Sequence, residues 1–317
     1  MANSICFIDK EKQFCEEFSV EKAKELIDKK KMFWIDLIRP EVKEIEPLQE
    51  LLKIHPLTTE DMTKFGTRIK VEEFPDYAFM VFYGINPDYS MYEIDFILGK
   101  NFLVSTHKKE DPFSEKLKKN PEKLASLLKK GPDFLMHEIL DMEIDNFFPV
   151  LDSIDDLIEA QEKIILKNPE SKTLEKIIKT KNKINKIRKK AFHQREKLMI
   201  LTKRVDGFFS NEAIPFFRDL YDSSIRITDL LDNYRENLSS LVEIHMSVIS
   251  NRMNEVMKVL SVIATIMLPL TVITGMYGMN FKLLPFAEWE HGFTAMLGIM
   301  LALMVTMLWF FKKRNWF

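Results

Sequence analysis

Cysteine is nearly absent from this chain: Cys6 and Cys15 are the two thiols in 317 residues. They lie nine residues apart with no Cys or His clustered around them. That spacing suits neither a zinc site nor a disulfide framework, and reduced cytosolic thiols are expected. A surplus of charge is missing as well. The 46 basic and 48 acidic side chains nearly cancel, which removes the electrostatic reason to expect a nucleic-acid partner. There is no phosphate-binding Gly-rich loop, nucleophile motif or metal-ligand cluster, and the six His are scattered singly. Enzyme chemistry is therefore not expected, and His55 reads as structural. Met1 to Lys12 holds no apolar stretch long enough for a signal peptide, so the large domain is expected to start and stay in the cytoplasm.

What the chain does contain is unevenly spread. Up to about Lys258 it is charged throughout, and beyond that point come two long apolar runs. The first part, residues 1–132, reads as mixed α/β. Met32 to Leu37, ended by Arg39-Pro40, suits a buried strand. Ala78 to Tyr83 is a second strand, and Phe96 to Thr106 reads as a hairpin turning at Gly99-Lys100-Asn101. Pro47 to Ile54 and Thr58 to Phe65 have helical spacing, with Thr58 or Thr59 as a candidate cap for the second helix.

From about Asp133 the pattern becomes helical. Leu135, Ile139, Met142, Ile144, Phe148, Leu151, Ile154, Leu157 and Ile158 recur largely at threes and fours, as an amphipathic helix requires. Leu174, Ile177, Ile184, Ile187 and Phe192 continue the spacing on a strongly basic segment. Residues 133–205 are thus expected to form an antiparallel helical hairpin turning near Pro169. A third helix, the stalk of residues 206–258, carries Ile227, Leu231, Tyr234, Leu238, Leu241 and His245 on one stripe. No Pro or Gly interrupts Phe216 to Leu268, a rod on the order of 75 Å long. It merges without a loop into the first apolar run and is expected to enter a membrane as one piece.

Val259 to Met276 and Gly292 to Phe311 carry no charge. A bilayer core of about 30 Å needs roughly twenty helical residues, so both qualify as spans. The segments here are 259–280, an external loop 281–291, the second span 292–311 and a basic tail 312–317. Lys312, Lys313 and Arg314 follow the second span, and Arg252 and Lys258 flank the first. Positive-inside bias puts both termini in the cytoplasm, with Trp289 and Trp309 at interfaces. Two helices cannot enclose a path for ions, so a channel built from this chain must be an oligomer.

The first span ends in Gly275-Met276-Tyr277-Gly278-Met279-Asn280-Phe281. Gly-Met-Asn directly after the first of two C-terminal spans resembles the signature of the CorA family of magnesium and cobalt transporters. The likeness extends to Asn254 to Leu260, Pro269-Leu270-Thr271 and Lys313 to Trp316. Upstream it covers Trp34-Ile35-Asp36, Ile54 to Leu57 with Glu60-Asp61, Arg68 to Val71, and Phe217 to Asp222. The resemblance implies an α+β cytoplasmic domain (α/β/α layers), then long helices and two C-terminal transmembrane helices, assembled as a funnel-shaped homopentamer. It implies magnesium, or cobalt or nickel, as the transported ion, membrane lipid and self as partners, an inner-membrane location and no organic cofactor.

The same resemblance gives site residues. Gly278, Met279 and Asn280 would be the selectivity filter. Magnesium dehydrates reluctantly, and a ring of Asn280 amide carbonyls can accept hydrogen bonds from its waters without trapping it. An Asn here also suits an ordinary helix C-cap. Pore-lining positions are Asn254, Met257, Leu260, Ala264, Leu268, Thr271 and Gly275, at steps of three and four, with Met257 and Leu260 as a hydrophobic constriction. Asp61 and Asp219 match an intersubunit regulatory magnesium site. The outer loop departs from the family pattern, though Glu288 and Glu290 can still draw cations to the mouth. Zinc transport of the ZntB type is the alternative, but those relatives commonly have Ile where Met279 stands. Asn254 and Thr271 argue against a plain membrane-anchored sensor, which has no need of polar residues near or within its span.

Overall fold

A computed structural model of the chain describes residues 3–10, 12–109, 111–167, 171–203, 207–280, 284–286, 289–314 and 316. Seven strands form one mixed sheet: β1 (Ser4–Asp9), β2 (Lys12–Glu17), β3 (Phe33–Ile38), β4 (Lys70–Glu73), β5 (Tyr77–Ile85), β6 (Met91–Gly99) and β7 (Phe102–His107), in the order β2-β1-β3-β7-β6-β5-β4. β3 and β7 pair in parallel and the other neighbours are antiparallel. β5 is buried along its whole length. Both faces of the sheet are covered, and for that reason β5 is a continuous apolar run and not an alternating one.

One face carries α1 (Val20–Asp28), α2 (Val42–Leu52) and α3 (Pro56–Lys64). Leu26, Ile45, Leu48 and Met62 meet Ile35 and Phe79 in the main core. The opposite face meets α4 (Pro112–Lys118), α5 (Pro121–Lys130) and α6 (Pro132–Asp145). Long helices follow: α7 (Phe147–Lys167), α8 (Ser171–Leu201), α9 (Ile214–Tyr277) and α10 (Gly292–Lys313). The chain divides into two compact units, residues 1–163 with 172–241, and residues 164–171 with 242–317. α9 contributes to both, and its 64 residues make a rod of about 96 Å. Pro269 lies inside it. In the second unit Val262 and Ile266 of α9 pack with Phe311 of α10.

Four sequence expectations change. Cys6 and Cys15 are disulfide-bonded, because the antiparallel register of β1 with β2 sets them directly opposite each other, with Cα atoms 4.1 Å apart. The cap of α3 is His55, whose Nδ1 accepts from Leu57 N at 3.2 Å, with Pro56 in the first turn. Thr58 instead shares a hydrogen bond with Tyr77 Oη at 3.0 Å, and Thr59 donates to Gln49 at 3.0 Å. α2 begins at Val42, before Pro47, because Glu44 reaches back to accept from Glu41 N at 2.8 Å. The helix expected across Leu135 to Ile158 is divided at Asn146, whose side-chain amide donates to Ile85 O at 2.6 Å. The hairpin turn near Pro169 and the 205/206 boundary lie outside the described residues.

The face of the sheet beneath α4 holds a buried ionic network. Asp36 accepts from Ser105 Oγ at 2.5 Å, lies 2.9 Å from His107 Nε2 and takes Lys118 Nζ at 2.7 Å. Trp34 Nε1 donates to Ser105 Oγ at 2.9 Å. Burial pushes the Asp36 carboxyl up, but His107 and Lys118 outweigh it and bring the group to about 2. Burial likewise opposes the His107 cation, and Asp36 reverses that to raise it. Asp36 thus contributes stability that is present above its ordinary value of 3.8 and lost as pH falls toward 2. The His107 contribution is present below 6.5 and lost as pH rises through its elevated folded value. Asp36→Ala, which leaves buried His107 without its carboxylate and Lys118 with Glu115 alone, is expected to cost about 3–5 kcal/mol. Thermal unfolding of the purified protein should show the lower midpoint, and the variant should lack the Asp36 share of the acid-side loss; an unchanged midpoint would remove the network from the stability account.

Candidate ion pathway

The residues expected to line a pore lie on the last part of α9. At about 100° per residue, Asn254, Met257, Leu260, Ala264, Leu268, Thr271 and Gly275 fall within an arc of about 120°. Val262, Ile266 and Leu270, which pack with α10 residues, project nearly opposite. α10 therefore leaves the expected pore face uncovered. Met257 is 55%, Leu260 57% and Leu268 66% exposed. Val256, Val259, Ile263 and Met267 are exposed too, so exposure alone does not mark the face; its position opposite α10 does. A helix segment apolar all round belongs in an apolar medium. α9 and α10 both contain windows long and apolar enough to cross a membrane. Thr271 Oγ1 donates to Met267 O at 2.9 Å, which satisfies its proton within the helix and leaves oxygen lone pairs facing outward.

α9 ends by tightening. Gly278 N donates to Thr274 O at 2.9 Å and Met279 N to Met276 O at 3.3 Å. Tyr277 Oη donates to Pro285 O at 2.6 Å, tying the following loop to the helix end. Asn280 is exposed and does not adopt the left-handed backbone of an αL helix cap. The unpaired carbonyls of the last turn add partial negative charge beside it. Farther along, Phe286 O would lie 2.0 Å from any Cβ at residue 292, so the return into α10 needs Gly292. Glu290 is exposed; Glu288, Phe281 and Lys282 lie outside the described residues.

Asp61 and Asp219 stand on different elements of the chain, α3 and α9. Asp61, on α3, accepts from Lys70 Nζ at 2.6 Å, and Lys70 also reaches Glu72 at 2.8 Å. Burial works against the Lys70 cation, yet these two carboxylates outweigh it and raise its pKa. Asp219, on α9, is exposed. Sequence reasoning missed its setting: Asp141 on α6 is pushed up to about 6 by burial and by the nearby Asp145, Glu138 and Asp219. The available signal was the spacing of Glu138, Asp141 and Asp145 at threes and fours along one helix. Among the described residues no group of three or more His, Cys, Asp or Glu forms a metal site.

Comparison with known proteins bears on the family and the fold. The family model described as "CorA-like Mg2+ transporter protein" matches residues 29–313. The cobalt/magnesium transport protein CorA of Thermotoga maritima is 35% identical over 281 residues, covering 86% of this chain and 79% of that protein. The fold superposes on the complete CorA magnesium transporter structure from Methanocaldococcus jannaschii with a TM-score of 0.84 at 23% identity, over 100% of this chain and 99% of that one. The ZntB cytoplasmic domain from Vibrio parahaemolyticus shares the soluble fold, with a TM-score of 0.60 at 13% identity over 79% and 98% of the two chains. With a family match that begins before β3 and ends at the last residue of α10, this chain belongs to the CorA-like Mg2+ transporter family.

Proposed function

We propose that the chain assembles as a homopentamer in the inner membrane and conducts hydrated magnesium, with cobalt or nickel as further substrates, toward the cytoplasm. The observation that carries this reading is the uncovered face of α9 opposite α10. Five such faces turned inward enclose a path, and α10 forms the outer ring against lipid. In this reading residues 1–132 are the cytoplasmic α/β domain, 133–205 the helical hairpin, 206–258 the stalk and 281–291 the external loop. Lys312, Lys313 and Arg314 hold the C-terminus in the cytoplasm.

The filter is a ring of Asn280 amides at the end of α9, positioned by Gly278 and Met279. Their carbonyls accept hydrogen bonds from the ion's water shell, so the ion passes without dehydrating. Met257 and Leu260 form an apolar constriction that closes by dewetting. A regulatory magnesium ion bridges Asp61 of one protomer to Asp219 of its neighbour and favours the closed state by differential binding. To reach Asp61 it must compete with Lys70, which tunes the threshold upward. The name of the Thermotoga relative, a cobalt/magnesium transport protein, supports these ions over zinc, and Met279 agrees.

Asn280→Ala is expected to abolish magnesium uptake into proteoliposomes while the oligomer stays assembled; near-normal flux would remove Asn280 from the filter. Beyond its chain neighbours and its own helix backbone, no atom lies within 4 Å of a Cβ built at Gly275, so Gly275→Leu should fold normally yet cut flux at least tenfold, on the order of a 1.4 kcal/mol barrier, by narrowing the pore. Asp61→Ala/Asp219→Ala should leave uptake insensitive to internal magnesium. Identical inhibition curves for this double variant and the wild type would place the sensor elsewhere.

A further inference from the structure

In the first unit, between α7 and α8, lies a cavity of about 250 Å³ that the ion pathway does not use. Its floor is apolar: Ile154 and Leu157 of α7 line it with Ile184 and Ile187 of α8. Gln161 is 7% exposed. Its Nε2 donates to Thr180 Oγ1 at 3.2 Å, while its Oε1 is buried with no donor. An unanswered buried carbonyl is costly, and a small turn of the Gln161 side chain, which lines the cavity, would let an N–H brought by a ligand answer it.

The two rims differ in charge. On α8, Lys176, Lys179 and Lys183 line the opening, three and four residues apart and so on one stripe. All three are exposed. Lys179 is bridged to Glu175 at 2.6 Å, and Lys183 Nζ stands 5.4 Å from the centre of the Tyr89 ring. α7 is rich in acids, yet at about 100° per residue Asp152, Asp155, Asp156, Glu159 and Glu162 all project more than about 100° from the mean direction of its lining residues. Ser153 and Ala160 flank the opening instead. Tyr89 closes the third side from the β5–β6 turn. Its backbone holds a positive φ of 69°, fixed by Tyr89 N donating to Asn86 O at 2.9 Å, and its hydroxyl lies 3.3 Å from Ser153 Oγ. Asp88, in the same turn, is occupied by Ser90 N at 2.9 Å and Ser90 Oγ at 2.5 Å.

A cationic rim, an apolar slot beside an aromatic ring and one unanswered acceptor call for a ligand with a polyanionic tail, a flat ring and an N–H donor attached to that ring. A purine nucleoside di- or triphosphate has all three. We propose that the α7–α8 cavity binds a purine nucleoside polyphosphate, the base lying between Tyr89 and the apolar floor with its amine donating to Gln161 Oε1, and the phosphates on Lys176, Lys179 and Lys183. Charge-assisted bonds to the lysines supply affinity, and the slot with Gln161 supplies selectivity for the base. The site is built from one chain and does not depend on the pore reading.

The test is calorimetric titration of the full-length protein in detergent with ATP, ADP, adenosine and tripolyphosphate, each with and without a fixed free magnesium concentration. ATP and ADP should bind once per chain, and adenosine and tripolyphosphate each at least about tenfold more weakly. Lys176→Ala/Lys183→Ala should lower ATP affinity at least about tenfold with no change in thermal midpoint, since both side chains are exposed. Tyr89→Ala should weaken ATP and leave tripolyphosphate unchanged. No saturable ATP binding at millimolar concentration would overturn the proposal. So would equal affinity for ATP and tripolyphosphate together with indifference to Tyr89→Ala, which would reduce the site to a polyanion-binding stripe.

Discussion

The architecture depends on α9 remaining one helix from Ile214 to Tyr277. Every backbone carbonyl along such a rod is satisfied internally except near its ends and at the gap left by Pro269. Satisfaction within the helix is what lets the same element serve in water and in lipid, where an unpaired backbone group costs several kcal/mol. Side chains change along its length while the backbone does not. In the first unit Leu220, Ile227, Leu231 and Leu238 are buried and Arg195 reaches Thr228 at 3.1 Å. In the second unit the buried face narrows to His245, Val262 and Ile266. The motif at 278–280 then sits where the rod stops and its terminal carbonyls turn outward.

The α/β part supports that rod through polar groups as well as a core. Asp133 accepts from Ser210 N and Oγ at 2.8 and 2.6 Å, which ties the turn before α9 to the first turn of α6. On the main-core side of the sheet Glu93 takes Thr67 N at 3.2 Å and Tyr83 Oη at 2.7 Å, and also Gly66 N. The segment leading from α3, which carries Asp61, is thereby held to β6. Burial and the adjacent Glu93 push the Asp95 carboxyl well above its ordinary range, because two buried negative charges side by side oppose each other. Lys190 of α8, whose cation is disfavoured by burial, stands over the Tyr83 ring on the same side. A domain fixed by buried charges in this way resists small displacements, because breaking any one pair leaves its partner unsolvated.

The two readings of function draw on different features. The pore reading rests on a long apolar face with a motif at its end, repeated by symmetry. The nucleotide-site reading rests on one cavity between an acidic and a basic helix, where the acids of α7 turn away and the lysines of α8 do not. Neither needs the other, and the soluble fold shared with the ZntB domain does not by itself choose an ion.

Sequence alone determined what depends on long, uninterrupted patterns. The apolar runs ending at Met276 and Phe311, the stripe along α9 and the Gly-Met-Asn motif are contiguous in the chain, so their meaning survives without coordinates. β3, β5 and the β6–β7 hairpin were legible because apolar or aromatic runs end at turn residues. β1, β2 and β4 were not, because their mixed composition takes its sense from cross-strand partners. Tertiary structure alone decided the rest: the Cys6–Cys15 pairing, the His55 cap, the Asp36 network and the face of α9 that meets α10. Each depends on residues distant in the chain or on a register one strand imposes on another, and a shift of one residue in such a register would turn every side chain to the opposite face.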